Sequence, residues 1–350
     1  MENNDNTSPA AENEAPRRKY RFAKRPTNIH VVLRPKIGIP TYEPDVVQQT
    51  RVVKKISRDT PPNLPFLRFD AIVGRGGMAV VWRAWHKELQ RYVAVKVLDE
   101  KFTTTGQDIR QFMSEVRMMT DLHHQGIVQG YGADCVDGRY YLIMDYVDGY
   151  TFGSLQNRKK RISESDALIV CESVADAMKY AWDLFSIVHC DLKPENIMVD
   201  RDGTVKVMDL GLCQSTAVMH RYDEKEEVIG TPAYISPEQI YCDQELDCRA
   251  DIYCLGATLY HLTTGRMLFP LMDNDDILRA HVDPMARAPD PRQFAPELSH
   301  GFAHLVASML VKDRAERIQT WDAVYNAATT VEAGGDIPAP TAASSVALDD

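Results

Sequence analysis

The chain is poor in the features that mark a secreted or membrane-embedded protein. Its 350 residues contain no apolar run approaching the roughly 20 that a membrane-crossing helix needs. No apolar segment precedes residue 29, so no secretory leader is expected there. The seven cysteines, at 135, 171, 190, 213, 242, 248 and 254, are odd in number and include no Cys-x-x-Cys pair. Zinc-site spacing and a disulfide framework are both disfavoured, and a reducing, cytoplasmic setting is expected. Internal repeats are also absent. Positive charge is scarce in the apparently folded part: residues 64–350 hold 28 Lys and Arg against 43 Asp and Glu, a net −15. An acidic body argues against nucleic acid as its main partner and is compatible with basic peptides.

What is present divides into three stretches. Residues 1–63 begin with an Asn, Glu, Ala and Pro-rich run that cannot bury enough surface to order itself. Arg17 to Arg25 then sets six cations around Tyr20 and Phe22. An electrostatic tether to an acidic surface is one reading, and a solvated tail is the simpler one. Pro61, Pro62 and Pro65 mark a linker. At the other end, residues 332–350 are rich in Gly, Ala, Pro and Ser and are expected to be disordered.

Between the tails, residues 64–331 read as one folded unit of two textures. Strands are expected over 69–73, 81–85, 92–98, 127–135 and 139–146, with one helix over 107–122. The first two strands flank Gly74-Arg75-Gly76-Gly77, a hairpin whose backbone N–H groups can approach a phosphate because no Cβ intervenes. Such loops are most often plain turns, and the third glycine of a G-x-G-x-x-G pattern is Ala79 here. Lys96 sits inside the apolar run 92–98 and needs an anionic partner. Glu115, beside the apolar stripe of the helix, is a candidate. Asp148-Gly149 breaks the pattern as a hinge would. Beyond it the chain is mostly helical, with a helix over 163–186 capped by Ser163, whose apolar face runs through Leu168, Cys171, Val174, Ala175, Met178 and Phe185.

The densest polar stretch is 187–199. His189, Asp191, Lys193 and Asn196 crowd between the apolar anchors Ile187-Val188 and Ile197-Met198-Val199, with Pro194 stiffening the backbone. A proton-accepting Asp, a nearby Lys and an Asn five residues on suit phosphoryl transfer. A surface turn would use the same residue types, and this stretch alone does not separate the two. Asp209, at a strand end before Leu210-Gly211, can aim a carboxylate at a metal or close an Asp-x-Gly turn. Residues 212–229 lack periodicity and read as a mobile loop, ending in Gly-Thr-Pro-Ala-Tyr-Ile-Ser-Pro-Glu at 230–238.

Taken in order and spacing, these motifs resemble the eukaryotic-type serine/threonine protein kinases, in particular their bacterial members, over roughly residues 66–330. The resemblance implies an α+β, two-lobed fold: a small antiparallel-sheet lobe with one main helix over about 66–147, and a larger helical lobe over about 150–331. It implies ATP with Mg²⁺, or Mn²⁺ in its place, and a protein substrate. Carried over by position, Val73, Gly74, Arg75, Gly76 and Gly77 would cover the phosphates. Lys96 would hold the α- and β-phosphates and pair with Glu115. Asp191 would accept the hydroxyl proton, and Lys193 would neutralise the γ-phosphate. Asn196 and Asp209 would bind the metal. Val81, Ala94 and Met198 would sandwich the adenine, with Met144 beside it and Asp145 and Val147 offering hinge backbone. His189 and Asp251 would support the catalytic loop, and Glu238 would pair with Arg317. Lys193 and Thr231 point to serine and threonine as acceptors, and Glu195 with the acidic body points to basic flanks.

Two departures stand out. Leu210 replaces the usual Phe and should still pack. Cys190 replaces the Arg that ordinarily binds a phosphorylated activation-loop residue, so activity is expected not to depend on phosphate read at this position. A small packed cysteine is the simpler reading of Cys190, ahead of a redox role. A pseudokinase-like scaffold and a small-molecule kinase of related fold are the alternatives. The six filled chemical positions argue against the first, and the 230–238 run with Arg317 argues against the second.

Overall fold

The computed structural model describes residues 59–77, 79–99, 106–209, 214–215, 230–243, 245–271, 273–341 and 343–349. The smaller lobe is a five-stranded antiparallel sheet: β1 (Leu67–Arg75), β2 (Ala79–His86), β3 (Arg91–Leu98), β4 (Gly130–Val136) and β5 (Arg139–Asp145), in spatial order β1-β2-β3-β5-β4. Strand alternation sorts the side chains onto two faces. Val93, Val95 and Val97 join Val80, Trp82 and Ala84 in one apolar cluster. Ala94 and Leu98 turn the other way, towards Phe112, Val116, Met119 and Leu122 at helix α1 (Gly106–Asp121) and its end. Lys96 shares that second face, so the period of two alone aims its amine at the cleft between the lobes.

The expected strand from 127 starts three residues later. Ile127 instead makes a single parallel bridge to Val207, tying the sheet to the larger lobe. Residues 59–66, ahead of the sheet, lie against it. Leu64 is buried, and Arg139 donates from Nη1 to the Thr60 carbonyl at 2.7 Å.

Past the hinge, β6 (Gly149–Thr151) pairs with β8 (Ile197–Asp200), and β8 pairs with β9 (Val205–Val207). Any Cβ at Gly149 would stand 1.9 Å from the Val199 carbonyl oxygen, so this crossing admits only glycine. Helix α2 (Phe152–Lys159), unforeseen from the sequence, starts at the Thr151 cap, whose Oγ1 accepts from Ser154 N. Helix α3 (Glu164–Phe185) has the expected Ser163 cap and ends on Ser186 in the left-handed region. Its expected face is buried except for Phe185, which lies in the last turn and stays exposed. The two-residue β7 (Ile187–Val188) follows and pairs with β10 (Gln214–Ser215).

The remaining helices are α4 (Pro237–Ile240), α5 (Cys248–Thr264), α6 (Asn274–Val282), α7 (His300–Met309) and α8 (Trp321–Glu332). Helix α5 is buried along almost its whole length and forms the axis of this lobe. A Cβ at Gly256 would approach Met309 Cβ to 2.9 Å, so glycine there lets α7 pack close.

One expectation is corrected. The described residues of 332–350 are not a loose tail. Ser344, Ser345 and Val346 are buried, and the segment bridges to Ala288 and Val311. Its low apolar content is offset by backbone hydrogen bonds along both edges.

Candidate active site

The polar stretch 187–199 is held from behind by one carboxylate. Asp251, on the first turns of α5, accepts from the backbone N–H of His189 at 2.6 Å and of Cys190 at 2.8 Å. It is fully buried, and that burial pushes its carboxyl up to about 6 although the His189 ring and the two donors favour the charged form. The backbone at Cys190 is left-handed, with φ 66°, a conformation that costs a non-glycine residue about 1–2 kcal/mol. Both sides of that residue are pinned. Asp251 takes its N–H, and Gln239 Nε2 donates to its carbonyl at 2.8 Å. Gln239 in turn accepts from Ser236 N and Oγ at 3.1 and 2.9 Å, so it couples α4 to the loop. The sequence reading did not single out Gln239, and only the three-dimensional contact reveals it.

His189 is buried. Its Nε2 lies 3.1 Å from the Met208 carbonyl and its Nδ1 accepts from Asp191 N at 3.3 Å, which assigns the ring proton to Nε2. The Cys190 side chain enters an apolar cluster with Val188, Leu246, Ala250 and Trp182. This is the small packed cysteine that was expected.

At the front of the loop, Asp191 gathers three partners. Thr231 donates from Oγ1 to Oδ1 at 2.6 Å, Lys193 Nζ lies 2.7 Å from Oδ2, and Asn196 Nδ2 donates to Oδ2 at 3.1 Å and to the backbone carbonyl at 2.9 Å. Lys193 also donates to Thr231 Oγ1 at 2.7 Å, closing a ring of three side chains. From the sequence Thr231 is only a marker of the acceptor type; in the structure its hydroxyl touches the Asp191 carboxylate directly. The Gly-Thr-Pro-x-Tyr run was the available signal.

Asp209, also left-handed at φ 63°, meets Lys96 across the cleft at 2.9 Å. Glu115 lies on α1, with its side chain outside the described residues, so the expected Lys96–Glu115 pair lies outside them as well. Leu210, Gly211 and most of 212–229 fall outside them too. The roof of the cleft is built by register: Val81 lies opposite Lys96, and Ala94 opposite Met144. Met198 lies on β8 below, and Asp145 and Val147 follow Met144 into the hinge. Asp145 N donates to the Gln129 carbonyl at 2.8 Å, and Tyr131 donates to the Asp145 carboxylate. Val73, Gly74 and Arg75 end β1, and Gly76 N donates to the Ala79 carbonyl at 2.9 Å, closing the glycine hairpin beside Gly77. Arg75 pairs with Asp59 at the surface.

The donor set suits a hard cation. Both hydrogen bonds from the Asn196 amide to Asp191 use Nδ2 and leave Oδ1 out of them, and Asp209 presents a half-exposed carboxylate. Two protein oxygens are too few for a closed cage, but they match Mg²⁺, which keeps waters and substrate phosphates as ligands.

Beneath the site, Glu238 and Arg317 form a buried bidentate pair at 2.6 and 3.0 Å. The guanidinium also donates to the carbonyls of Val311, Lys312 and Arg249.

An antiparallel-sheet lobe, a helical lobe and this loop between them define the protein kinase fold. Residues 67–327 match the protein kinase domain family, well over half of the chain. The chain belongs to that family, among its eukaryotic-type serine/threonine members of bacterial kind. It is similar to serine/threonine-protein kinase PknA of Mycobacterium tuberculosis, with 31% identity over 279 residues, 78% of this chain and 63% of PknA. It is also similar to serine/threonine-protein kinase PrkC of Bacillus subtilis, with 31% over 252 residues, 71% of this chain and 38% of PrkC. Pkn1 of Myxococcus xanthus is 33% identical over 261 residues, 73% of this chain and 36% of Pkn1. The chain therefore spans less than two thirds of the length of these relatives. Among the described residues, no helix is long and apolar enough to cross a membrane.

Proposed function

We propose that the chain transfers the γ-phosphate of ATP to serine or threonine hydroxyls of proteins, itself included. The observation that carries this reading is the ring on Asp191, where Thr231 and Lys193 sit 2.6 and 2.7 Å from its two oxygens. The acceptor hydroxyl attacks the γ-phosphorus, the bond to the β-phosphate oxygen breaks, the proton passes to Asp191, and ADP leaves. Lys193 offsets charge on the transferred group, and Lys96 holds the α- and β-phosphates. The metal, when bound by Asn196 and Asp209, neutralises phosphate charge; Mg²⁺ is the first choice and Mn²⁺ the second. Val73 to Gly77 cover the phosphates, and Val81, Ala94, Met144, Asp145, Val147 and Met198 hold the base.

Glu195 is exposed beside Gly153, where a Cβ would come within 3.0 Å of its Oε1, and this favours acceptors with basic flanks. A cytoplasmic location fits seven scattered cysteines, odd in number and without a Cys-x-x-Cys pair. The test is autophosphorylation with labelled ATP. Asp191→Ala should lose about 10²–10⁴-fold in rate while remaining folded. Full activity in that variant would overturn the assignment of the base.

A further inference from the structure

The segment after α8 does more than end the chain. Residues 343–349 lie extended between two parts of the larger lobe and are bonded along both edges. On one side Ala288 N donates to the Ser345 carbonyl at 2.7 Å, and Ala347 N donates to the Ala288 carbonyl at 2.9 Å. On the other, Ser345 N donates to the Leu310 carbonyl at 2.9 Å, and Lys312 N donates to the Ala343 carbonyl at 3.1 Å. Ser344 Oγ reaches the Ala307 carbonyl at 2.7 Å. Asp349 is gripped in turn, its N–H by Asp290 at 2.9 Å and its carboxylate by Gln293 at 2.7 Å. So many specific bonds on a segment of small residues indicate a built site rather than adventitious burial.

The centre of the segment reaches a buried polar node. Ser345 Oγ is 2.8 Å from Tyr253 Oη, and Tyr253 Oη is 2.7 Å from His281 Nδ1. All three residues are fully buried. Burial holds the His281 ring neutral; with its one proton on Nε2, Nδ1 accepts from Tyr253, whose oxygen can then accept from Ser345. His281 Nε2 makes no full hydrogen bond, although the Pro232 backbone lies close enough to raise the ring's basicity. Pro232 adjoins Thr231, which touches Asp191. The Tyr253 ring also lies 5.0 Å beneath the Arg317 guanidinium that holds Glu238. Tyr253 itself is two residues from Asp251 on α5.

We infer that residues 343–349 are an intramolecular peptide clasp, seated in a groove edged by Ala288 and Leu310–Lys312, that holds residues 230–239, the shelf on which the proposed function would seat its peptide substrate, against the loop 189–196. The occupant the groove takes is an extended segment carrying a hydroxyl at its centre and a small apolar residue next to it, here Ser345 and Val346. Release of the clasp removes the Ser345 partner of Tyr253 and empties the Val346 site. The packing behind His281 and Arg317 then loosens, and the shelf loosens with it. Only the naming of 230–239 as a substrate shelf rests on the proposed phosphotransfer.

The test uses the full chain and its Ser345→Asp variant in hydrogen–deuterium exchange. A carboxylate cannot replace a hydroxyl in a closed node without displacing the segment. Residues 343–349, 286–290 and 310–312 should exchange about tenfold faster or more, and residues 230–243 should follow, while the β1–β5 sheet stays unchanged. A chain ending at residue 340 should bind a fluorescent peptide of residues 341–350 saturably, regain slow exchange over 230–243, and reject the Ser345→Asp peptide. Freed clasp residues with an unchanged shelf would overturn the coupling. Failure of the peptide to bind a folded truncated chain would overturn the groove. If the truncated chain does not fold, exchange in full-length Ser345→Asp decides alone. Shelf exchange that tracks the clasp in a chain without kinase activity would uphold this inference and reject the proposed function.

Discussion

Asp251→Asn separates activity from stability. The carboxylate takes two backbone donors, at 2.6 and 2.8 Å, and each such charge-assisted bond is worth about 1.5–3 kcal/mol. Asparagine keeps one oxygen acceptor and turns an NH₂ towards the other N–H, so one bond weakens and one donor is orphaned, a loss of about 2–4 kcal/mol. Against this stands the charge itself. Raising the carboxyl from 3.8 to about 6 disfavours its ionised form in the fold by about 3 kcal/mol at neutral pH, and the neutral amide escapes that penalty. The two effects nearly cancel, leaving a net change within about 1 kcal/mol of zero in unfolding free energy. The catalytic loop has no such compensation. Cys190 keeps its left-handed backbone because its N–H is held, and Asp191 is the next residue. With Asn at 251, kcat should fall by about 10² while KM for ATP changes less than about threefold. Urea denaturation and steady-state phosphorylation on the same preparation test this. A variant with unchanged kcat, or one whose activity falls only as far as its folded fraction, refutes the argument.

Acid should weaken the fold. Burial depresses His281 to about 3 and His261 to about 4 from 6.5, so their stabilising contribution is complete above pH 6.5 and is lost as pH falls towards those values. Asp251 works in the opposite sense, contributing as it protonates below about 6. The balance is a loss of about 2–4 kcal/mol between pH 7 and 4.5, measurable by urea melts at the two pH values, and a flat profile would contradict it. Arg317→Met strands Glu238 and three carbonyls and should cost about 3–5 kcal/mol, with Arg317→Met/Glu238→Gln recovering part of the loss; simple additivity of the single changes would deny the coupling. Because the Cys190 side chain is packed among Leu246, Ala250 and Trp182, phosphatase treatment should leave activity intact. Its abolition, together with loss on Thr216→Ala, a hydroxyl residue of the 212–229 loop, would restore the phosphate switch.

Residues whose chemistry is set by local pattern were legible from the sequence. Lys96 announced itself as a cation inside an apolar strand, and the alternation of β3 delivers it to the cleft. Ser163 and Ser186 bracket α3 because cap chemistry is written in single residues. Helices α2, α6 and α7 went unread because they are short, and α7 in particular owes its position to packing against α5 at Gly256. The hydrogen bond from Gln239 to Cys190 spans 49 positions, and the one from Ser345 to Tyr253 spans 92. No window along the chain contains either. Segment 343–349 was misread for a related reason: composition reports hydrophobic drive, whereas this segment is held mainly by backbone hydrogen bonds that composition does not register.

The 2.9 Å contact between Lys96 and Asp209 has a thermodynamic corollary. Under the proposed function, the partner in the small lobe takes up the nucleotide phosphates and the partner in the large lobe takes up the metal. A nucleotide arriving without metal must draw Lys96 away from Asp209 and leave a carboxylate facing its phosphates. A divalent ion at Asp209 removes that conflict in advance. The two affinities are therefore linked, each ligand tightening the other by the same factor, and the contact makes the cleft a selector for the metal-loaded nucleotide over its bare form.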